Sequence, residues 1–163
     1  MKIVRNINKK MFFTQADYAR KVFDRFGMLS SKPVSIPLNA HIKLSKQQEP
    51  TKEADVEYMM IIPCSSAMWS IMYAMVCTKP DVAFGIGVVS RYMGNIGKSH
   101  WEVVKWILKY LNGTMNHGIM FGGINNETTG KVLGYVDSNF VGDLDKRRLV
   151  TGLVFTLFGG AVR

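Results

Sequence analysis

The chain begins with short apolar runs and then changes to a helical repeat of apolar positions. Residues 2–4 and 11–13 are largely apolar and flank a polar stretch, which predicts two strands joined by a tight turn. Thr14 is expected to cap a helix, with Asp17 three residues on as an acidic variant of the capping box. The apolar positions of this helix follow at helical spacing: Tyr18, Val22, Phe23 and Phe26. Gly27 is expected to end the helix as a C′ glycine.

A polar, proline-rich segment separates this first helix from the middle of the chain. Residues 30–50 hold three of the five prolines, which predicts an extended connector. Connectors of about 20 residues are uncommon within one compact domain. The segment is therefore the first candidate for a domain boundary.

The middle of the chain predicts a cluster of helices. Helical spacing resumes at Glu53 and is interrupted at Pro63, because proline lacks an N–H and clashes with the preceding turn. Further helices are expected over residues 65–77 and 81–93.

A third helix of this cluster is expected over residues 100–111. Ser99 is its predicted N-cap, and Gly113 closes it. The predicted buried stripe consists of Trp101, Val104, Ile107, Leu108 and Leu111. His100 is interpreted as a packing or capping residue, because no nucleophile lies near it in sequence.

Alternation replaces helical spacing in the last third of the chain. Residues 118–121, 132–136 and 152–158 are strand-like and are separated by turn residues. They predict a three-stranded antiparallel patch. The expected fold class is therefore α+β, with an N-terminal β-hairpin and helix, a central helical cluster and an incomplete antiparallel sheet at the C-terminal end.

Composition narrows the class of protein. Of the 163 residues, 47% are apolar and 20% are charged, which excludes a wholly disordered tail, a collagen-like fibre and a disulfide scaffold. The formal charge is +9, and ten Lys and Arg against three Asp and Glu fall within residues 1–50. A balance of this kind indicates a polyanionic partner, or simply a solvated basic surface.

The basic side chains expected to contact nucleic acid lie on the first helix, just before it, and on the last helix. They are Lys9, Lys10, Arg20, Lys21, Arg25, Lys105 and Lys109. Such side chains neutralise phosphates, so binding through them should weaken steeply with salt.

The sequence predicts an intracellular protein, cytoplasmic or nuclear, that is not secreted and has no membrane partner. Cys64 and Cys77 have no neighbouring His cluster and are interpreted as thiols in a reducing compartment. The N-terminus lacks the apolar core of a signal peptide. Residues 59–77 form the longest apolar stretch, but Pro63 and several serines interrupt it.

One aspartate has candidate catalytic character. Asp137 lies at the end of an apolar strand, where a carboxylate needs solvent, a partner or a metal ion. Asp143 and Asp145 follow closely and would supply further oxygen ligands. The alternative is a structural turn, or a salt bridge to Arg147 or Arg148.

This segment also resembles a known family. Residues 135–143, YVDSNFVGD, resemble the start of the ribonuclease H region in copia-type retrotransposon Pol polyproteins. Residues 13–38, 72–83 and 90–114 contain further stretches that resemble the same family in the same order. Each motif is weak alone, but four in family order make a strong resemblance that covers nearly the whole chain.

The resemblance implies a division of the chain into three parts. Residues 1–50 would be the end of the reverse transcriptase palm and its connector, and residues 51–114 the helical thumb or connection region. Residues 115–163 would be a truncated start of ribonuclease H.

The resemblance further implies that Asp137 corresponds to the first catalytic aspartate of ribonuclease H, which works with Mg²⁺ in intact family members. The family's polymerase aspartate pair lies upstream of Met1, and no Tyr-x-Asp-Asp motif occurs here. Its remaining ribonuclease H carboxylates lie beyond Arg163. We therefore expect a non-catalytic remnant of the Pol polyprotein without a cofactor of its own, and only a weak metal role for Asp137.

Several positions depart from the family pattern. Trp69 replaces a usual glycine, so we expect it to overpack a helix contact at a cost of about 1–3 kcal/mol. Ile96 replaces a common proline, and Leu149 and Val150 replace a Ser/Thr pair.

Two other functions remain open from the residues. One is a nucleic-acid-binding module for RNA–DNA hybrids without catalysis. The other is a free-standing metal hydrolase using Asp137, Asp143 and Asp145, which is disfavoured because no His or Glu lies near them in sequence. The last strand would also expose an unpaired sheet edge through which chains could associate.

Overall fold

The structure is a computed structural model. It describes residues 1–5, 10–39, 41–121, 132–139, 145, 150–157 and 160–162. The chain forms two compact units. The helical unit comprises Met1–Lys2 and Thr14–Gly118, and the sheet unit comprises Ile3–Phe13 and Ile119–Arg163. The mixed helix-and-sheet class expected from the sequence is confirmed.

The helical unit contains five α-helices among the described residues. They are α1 (Ala16–Arg25), α2 (Glu53–Ile61), α3 (Cys64–Cys77), α4 (Ala83–Ser90) and α5 (Lys98–Gly113), with short 3₁₀ turns at Lys46–Gln48 and Pro80–Val82. The predicted helix over residues 81–93 is therefore shorter. Its first two residues belong to the 3₁₀ turn, and residues 91–93 form turns after α4.

The ends of α1 show how closely local signals determine a helix. Gly27 adopts φ 63°, the left-handed conformation that glycine takes without steric cost, as predicted for a C′ residue. At the other end the N-cap is Gln15, one residue later than predicted. Thr14 still contributes, because its Oγ1 accepts the N–H of Ala16 at 3.3 Å.

The start of α5 differs from the prediction. The helix begins at Lys98 with Gly97 as its N-cap, so Ser99 lies inside the first turn. Nδ1 of His100 accepts the N–H of Gly97 at 3.0 Å. The histidine ring therefore bonds the backbone N–H of the N-cap residue from the third helical position, as the N3 side chain of a capping box does.

The core of the helical unit forms around α5 and α3. Helix α5 packs against α1, α3 and α4. Four members of the predicted stripe are buried: Val104, Ile107, Leu108 and Leu111. Trp101 is only partly buried, and Val103, which was not predicted, is buried instead. Helix α3 contributes Ala67, Met68, Ile71 and Ala74 to the same core. Each large apolar side chain buried in this way contributes about 1.5–3 kcal/mol.

The described residues of the connector, 30–39 and 41–50, have little regular structure but lie within the helical unit. Side chains of the helices satisfy their backbone: Nε1 of Trp106 donates to the carbonyl of Ile36 at 3.0 Å, and Tyr92 donates to that of Leu44 at 3.0 Å. Leu44 itself is buried in the core. The connector is therefore held by hydrogen bonds and packing.

The sheet unit contains two antiparallel sheets among the described residues. The first has the order β1 (Lys2–Arg5), β2 (Met11–Thr14) and β3 (Ile119–Phe121). The two strands of the predicted N-terminal hairpin are present as sheet neighbours, and the predicted turn between them lies outside the described residues. The placement of residues 118–121 in the C-terminal patch is wrong, because β3 pairs with β2, with Phe13 opposite Ile119.

The second sheet has the order β4 (Val132–Asn139), β5 (Val150–Leu157) and β6 (Gly160–Val162). A three-stranded antiparallel patch is present, as predicted. Its third strand is β6, however, and not residues 118–121. Tyr135 and Val136 are both exposed, although neighbouring strand residues point to opposite faces. Both faces of this sheet therefore present apolar side chains to solvent.

Candidate nucleic-acid interface

Two of the predicted basic residues lie on the outer face of α5. Lys105 and Lys109 are four residues apart, so their side chains leave the helix on one face, away from the buried stripe. Nζ of Lys105 lies 2.5 Å from a carboxylate oxygen of Glu102, so its charge is partly compensated. Lys109 is the stronger candidate for a phosphate contact.

Lys109 lines an open groove between α5 and the connector. The groove has a volume of about 330 Å³. Its polar lining includes Lys43, Ser99 and Glu102, and Trp106 adds an aromatic side chain. The two lysines and the hydroxyl offer donors suited to phosphate oxygens. Lys43 was missed by sequence reasoning, because an isolated lysine in an irregular connector carries no periodic signal.

The basic residues of α1 lie on two flanks of the helix. Arg20, Lys21 and Arg25 are all exposed. At 100° per residue, however, Lys21 and Arg25 lie on the side of α1 that faces α3, whereas Arg20 lies on the other flank. Nη1 of Arg25 lies 3.5 Å from Oγ of Ser66 on α3.

The remaining predicted contacts are spread over the chain. Lys10 is exposed and belongs to the sheet unit. Lys9 lies outside the described residues. Of the predicted set, the structure therefore brings together Lys105 with Lys109 on α5, and Lys21 with Arg25 on α1.

The candidate catalytic aspartate lies on β4. The backbone of Asp137 pairs with Gly152 of β5, so this residue is in a strand as predicted. Its side chain and the whole of Asp143 lie outside the described part of the structure. Asp145 is exposed. Among the described residues, no three His, Cys, Asp or Glu side chains are grouped to hold a metal ion.

The helical unit contains a buried polar cluster that the sequence did not predict. Thr78 donates to Oε1 of Gln15 at 2.6 Å, and Nζ of Lys79 donates to the carbonyl of Thr114. Burial lowers the pKa of Lys79. Gln15, Thr78 and Lys79 line a cavity of about 20 Å³, room for one water molecule. The cluster joins α1 to the end of α3 and is structural in character.

Two observations bear on the predicted thiols and on membrane association. Cys64 is buried, and Cys77 is partly buried; both are free. Within the described residues no single helix is long and apolar enough to cross a bilayer, although α2 and α3, bent by 49° at their junction, have the required length and composition together.

Comparison with known proteins identifies the family. The chain belongs to the copia-type retrotransposon Pol polyproteins. It is 48% identical over 163 residues, 99% of its length, to the retrovirus-related Pol polyprotein from transposon TNT 1-94 of Nicotiana tabacum, and covers 12% of that protein. It is 27% identical over 153 residues, 94% of its length, to the corresponding protein from transposon RE2 of Arabidopsis thaliana, covering 10% of it.

A shorter relative also matches. The secreted RxLR effector protein 161 of Plasmopara viticola is 38% identical over 104 residues, which are 64% of this chain and 71% of that protein. No protein-family model matches the chain. No solved structure matches it either. The chain thus spans about a tenth of the length of the Pol polyproteins it matches.

Proposed function

We propose that this chain is a non-catalytic part of the reverse transcriptase and ribonuclease H region of a Pol polyprotein. The observation that carries the proposal is the 48% identity to a Pol polyprotein along 99% of the chain. The sequence itself contains no Tyr-x-Asp-Asp motif. Asp137 is the single residue that corresponds to a catalytic position of the family.

We assign the sheet β4–β5–β6 to the start of a ribonuclease H-like sheet. Its antiparallel pairing and the position of Asp137 within β4 support this assignment. Two-metal hydrolysis needs several carboxylates around ions about 3.5–4 Å apart. One aspartate does not fit that requirement, so no step through Mg²⁺ is assigned to this chain.

The test is hydrolysis of an RNA–DNA hybrid in the presence of Mg²⁺ or Mn²⁺. We expect no cleavage above the level of a matched Asp137→Asn preparation, because a lone carboxylate cannot position two ions. Cleavage by the wild type that disappears in Asp137→Asn would overturn the proposal.

A second function, nucleic-acid binding without catalysis, is favoured by the groove beside α5. Lys43 and Lys109 both line it, with Trp106 and Ser99. Two cations facing one groove can bind successive phosphates, and released counterions then add to the binding free energy. The +9 charge of the chain favours the same class of partner.

A salt titration of binding to an RNA–DNA hybrid tests this second function. Affinity should fall steeply between about 50 and 200 mM salt, and Lys43→Gln with Lys109→Gln should reduce the salt slope by about one unit for each phosphate that the variant no longer neutralises. Lys32→Gln with Lys52→Gln removes the same charge from exposed positions outside the groove and serves as control. Equal effects of the two double variants would leave only a general charge effect and would exclude the groove.

A further inference from the structure

Helix α3 presents large apolar side chains to solvent on one face. Trp69 is 70% exposed, Tyr73 is 48% exposed and Val76 is 61% exposed. Their spacing places them on one face of the helix, opposite the buried Ala67 and Ile71. The expected overpacking of Trp69 is therefore wrong: its ring lies at the surface.

Helix α1 runs antiparallel along one side of this face. The ring of Tyr18 meets that of Tyr73 edge to face, with centroids 4.9 Å apart. The hydroxyl of Tyr18 donates to the carbonyl of Ser70 at 3.2 Å. Further along, Nη1 of Arg25 lies 3.5 Å from Oγ of Ser66. The later residue of α1 thus meets the earlier residue of α3.

Two cations of α1, Lys21 and Arg25, lie along one side of the aromatic face that Trp69 and Tyr73 form. We call them its cationic border. Lys21 lies three residues after Tyr18 and four before Arg25, so it projects from the same flank of α1. Asp17 and Asp24 lie farther round the helix from α3, by about 40–100° at 100° per residue. Helix α3 itself carries no charged residue. The cations are therefore the charged groups of α1 nearest the exposed rings.

We propose that Trp69 and Tyr73 stack the bases of single-stranded nucleic acid while Lys21 and Arg25 bind its phosphates. Exposed aromatic rings bordered by cations are the combination that single-strand binding uses, since every base has a face on which to stack. The charge of the border matches a polyanion. This inference rests on the nucleic-acid-binding function proposed above and adds a second binding surface, specific for unpaired bases.

The test uses the whole chain and an oligothymidylate of about 15 nucleotides, within the range of single-strand site sizes, with binding followed by fluorescence anisotropy of a labelled strand. Trp69→Ala should weaken binding about tenfold, the order expected when one base stack is removed. Trp69→Phe should restore most of it. Phe84→Ala is the matched control, because Phe84 is an exposed aromatic on α4 outside this face. It should leave the affinity close to that of the wild type.

The cationic border has its own readout. Lys21→Gln with Arg25→Gln should lower the salt slope of oligothymidylate binding, whereas Trp69→Ala should lower affinity without changing that slope. Circular dichroism of each variant verifies the helical fold.

Three outcomes would overturn the inference. Trp69→Ala could bind oligothymidylate as tightly as the wild type. It could lose no more affinity than Phe84→Ala. Size-exclusion chromatography could reveal self-association that depends on Trp69, in which case a second copy covers the face. If the Lys43 and Lys109 variants still weaken hybrid binding, the groove function stands alone; if the wild type binds no nucleic acid, both proposals fail.

Discussion

The imidazole of His100 lies flat against the ring of Tyr92, with centroids 4.5 Å apart and planes 17° from parallel. His100 also accepts the N–H of Gly97, and Tyr92 donates to the carbonyl of Leu44, 48 residues away in the chain. This stacked pair therefore joins the start of α5, the turn after α4 and the connector.

Removing the Tyr92 hydroxyl should destabilise the helical unit. Tyr92→Phe keeps the stacked ring but leaves the buried carbonyl of Leu44 without this donor, a loss of about 1–3 kcal/mol. Urea unfolding measures the change. Tyr110→Phe is the control, because its hydroxyl bonds to Asp81 at an exposed site. A loss no larger than that of the control would show that the Leu44 hydrogen bond contributes little.

Gly97 is the glycine whose replacement should be most disruptive. A Cβ at this position would lie 2.1 Å from the backbone carbonyl oxygen of Gln48, which cannot move without shifting the connector. Gly97→Ala should therefore cost about 1–3 kcal/mol in the free energy of unfolding. Gly94→Ala, where a Cβ meets open space, should be close to neutral. Similar unfolding midpoints for both variants would contradict the close approach.

The two cysteines should differ sharply in reactivity. Burial raises the pKa of Cys64 to about 11. At a pH of about 8 such a thiol is ionised to roughly one part in a thousand, and the thiolate is the reactive form. Native protein treated with iodoacetamide should therefore be labelled first at the less buried Cys77, and at Cys64 after denaturation. Peptide mass spectrometry identifies the site, and early labelling of Cys64 would disprove the assignment.

The ion pair between α2 and α5 should give a small pH dependence. Nζ of Lys98 lies 2.6 Å from Oδ1 of Asp55, and this hydrogen bond lowers the pKa of Asp55 below 3.8 and raises that of Lys98 above 10.5. The lowered carboxyl pKa means that the pair stabilises the fold above a pH of about 4 and loses this effect as pH falls through the folded value. The raised ammonium pKa likewise limits the effect at high pH.

Thermal unfolding of Asp55→Asn beside wild type tests this linkage. The unfolding midpoint of the variant should be only slightly lower at a pH of about 7, because both side chains are well exposed. Near a pH of about 2 the two midpoints should be equal, because the wild-type carboxyl is then protonated. Glu53→Gln, in the same first turn of α2, controls for the helix dipole. If the unfolding midpoints of wild type and Asp55→Asn still differ in acid, the difference does not arise from the carboxylate charge.

Trp69→Ala should leave stability almost unchanged. An exposed ring makes few core contacts, so the free energy of unfolding should change by no more than about 0.5 kcal/mol. The overpacking expected from the sequence predicts instead a gain of about 1–3 kcal/mol. Chemical unfolding of the two proteins decides between these values, with Met68→Ala, a buried neighbour on α3, as the destabilised reference.

Part of the candidate interface could be predicted and part could not. Lys105 and Lys109 follow from the period of α5, since the buried stripe determines which residues face outward. Lys43 joins Lys109 only because the connector folds back along α5. No local pattern marks that approach. Arg20 shares its exposure with Lys21 and Arg25, but the packing of α1 against α3 separates their flanks.

The sequence by itself determined the local structure: the periods of α1, α3 and α5, the two N-terminal strands, and the left-handed Gly27 at the end of α1. These depend on residues a few positions apart, where side-chain spacing and backbone sterics act directly. Only the tertiary structure decided that β3 pairs with β2, that Leu44 bonds to Tyr92, and that Trp69 faces solvent. Those outcomes depend on contacts between residues far apart in the chain, which the period of a single element does not contain.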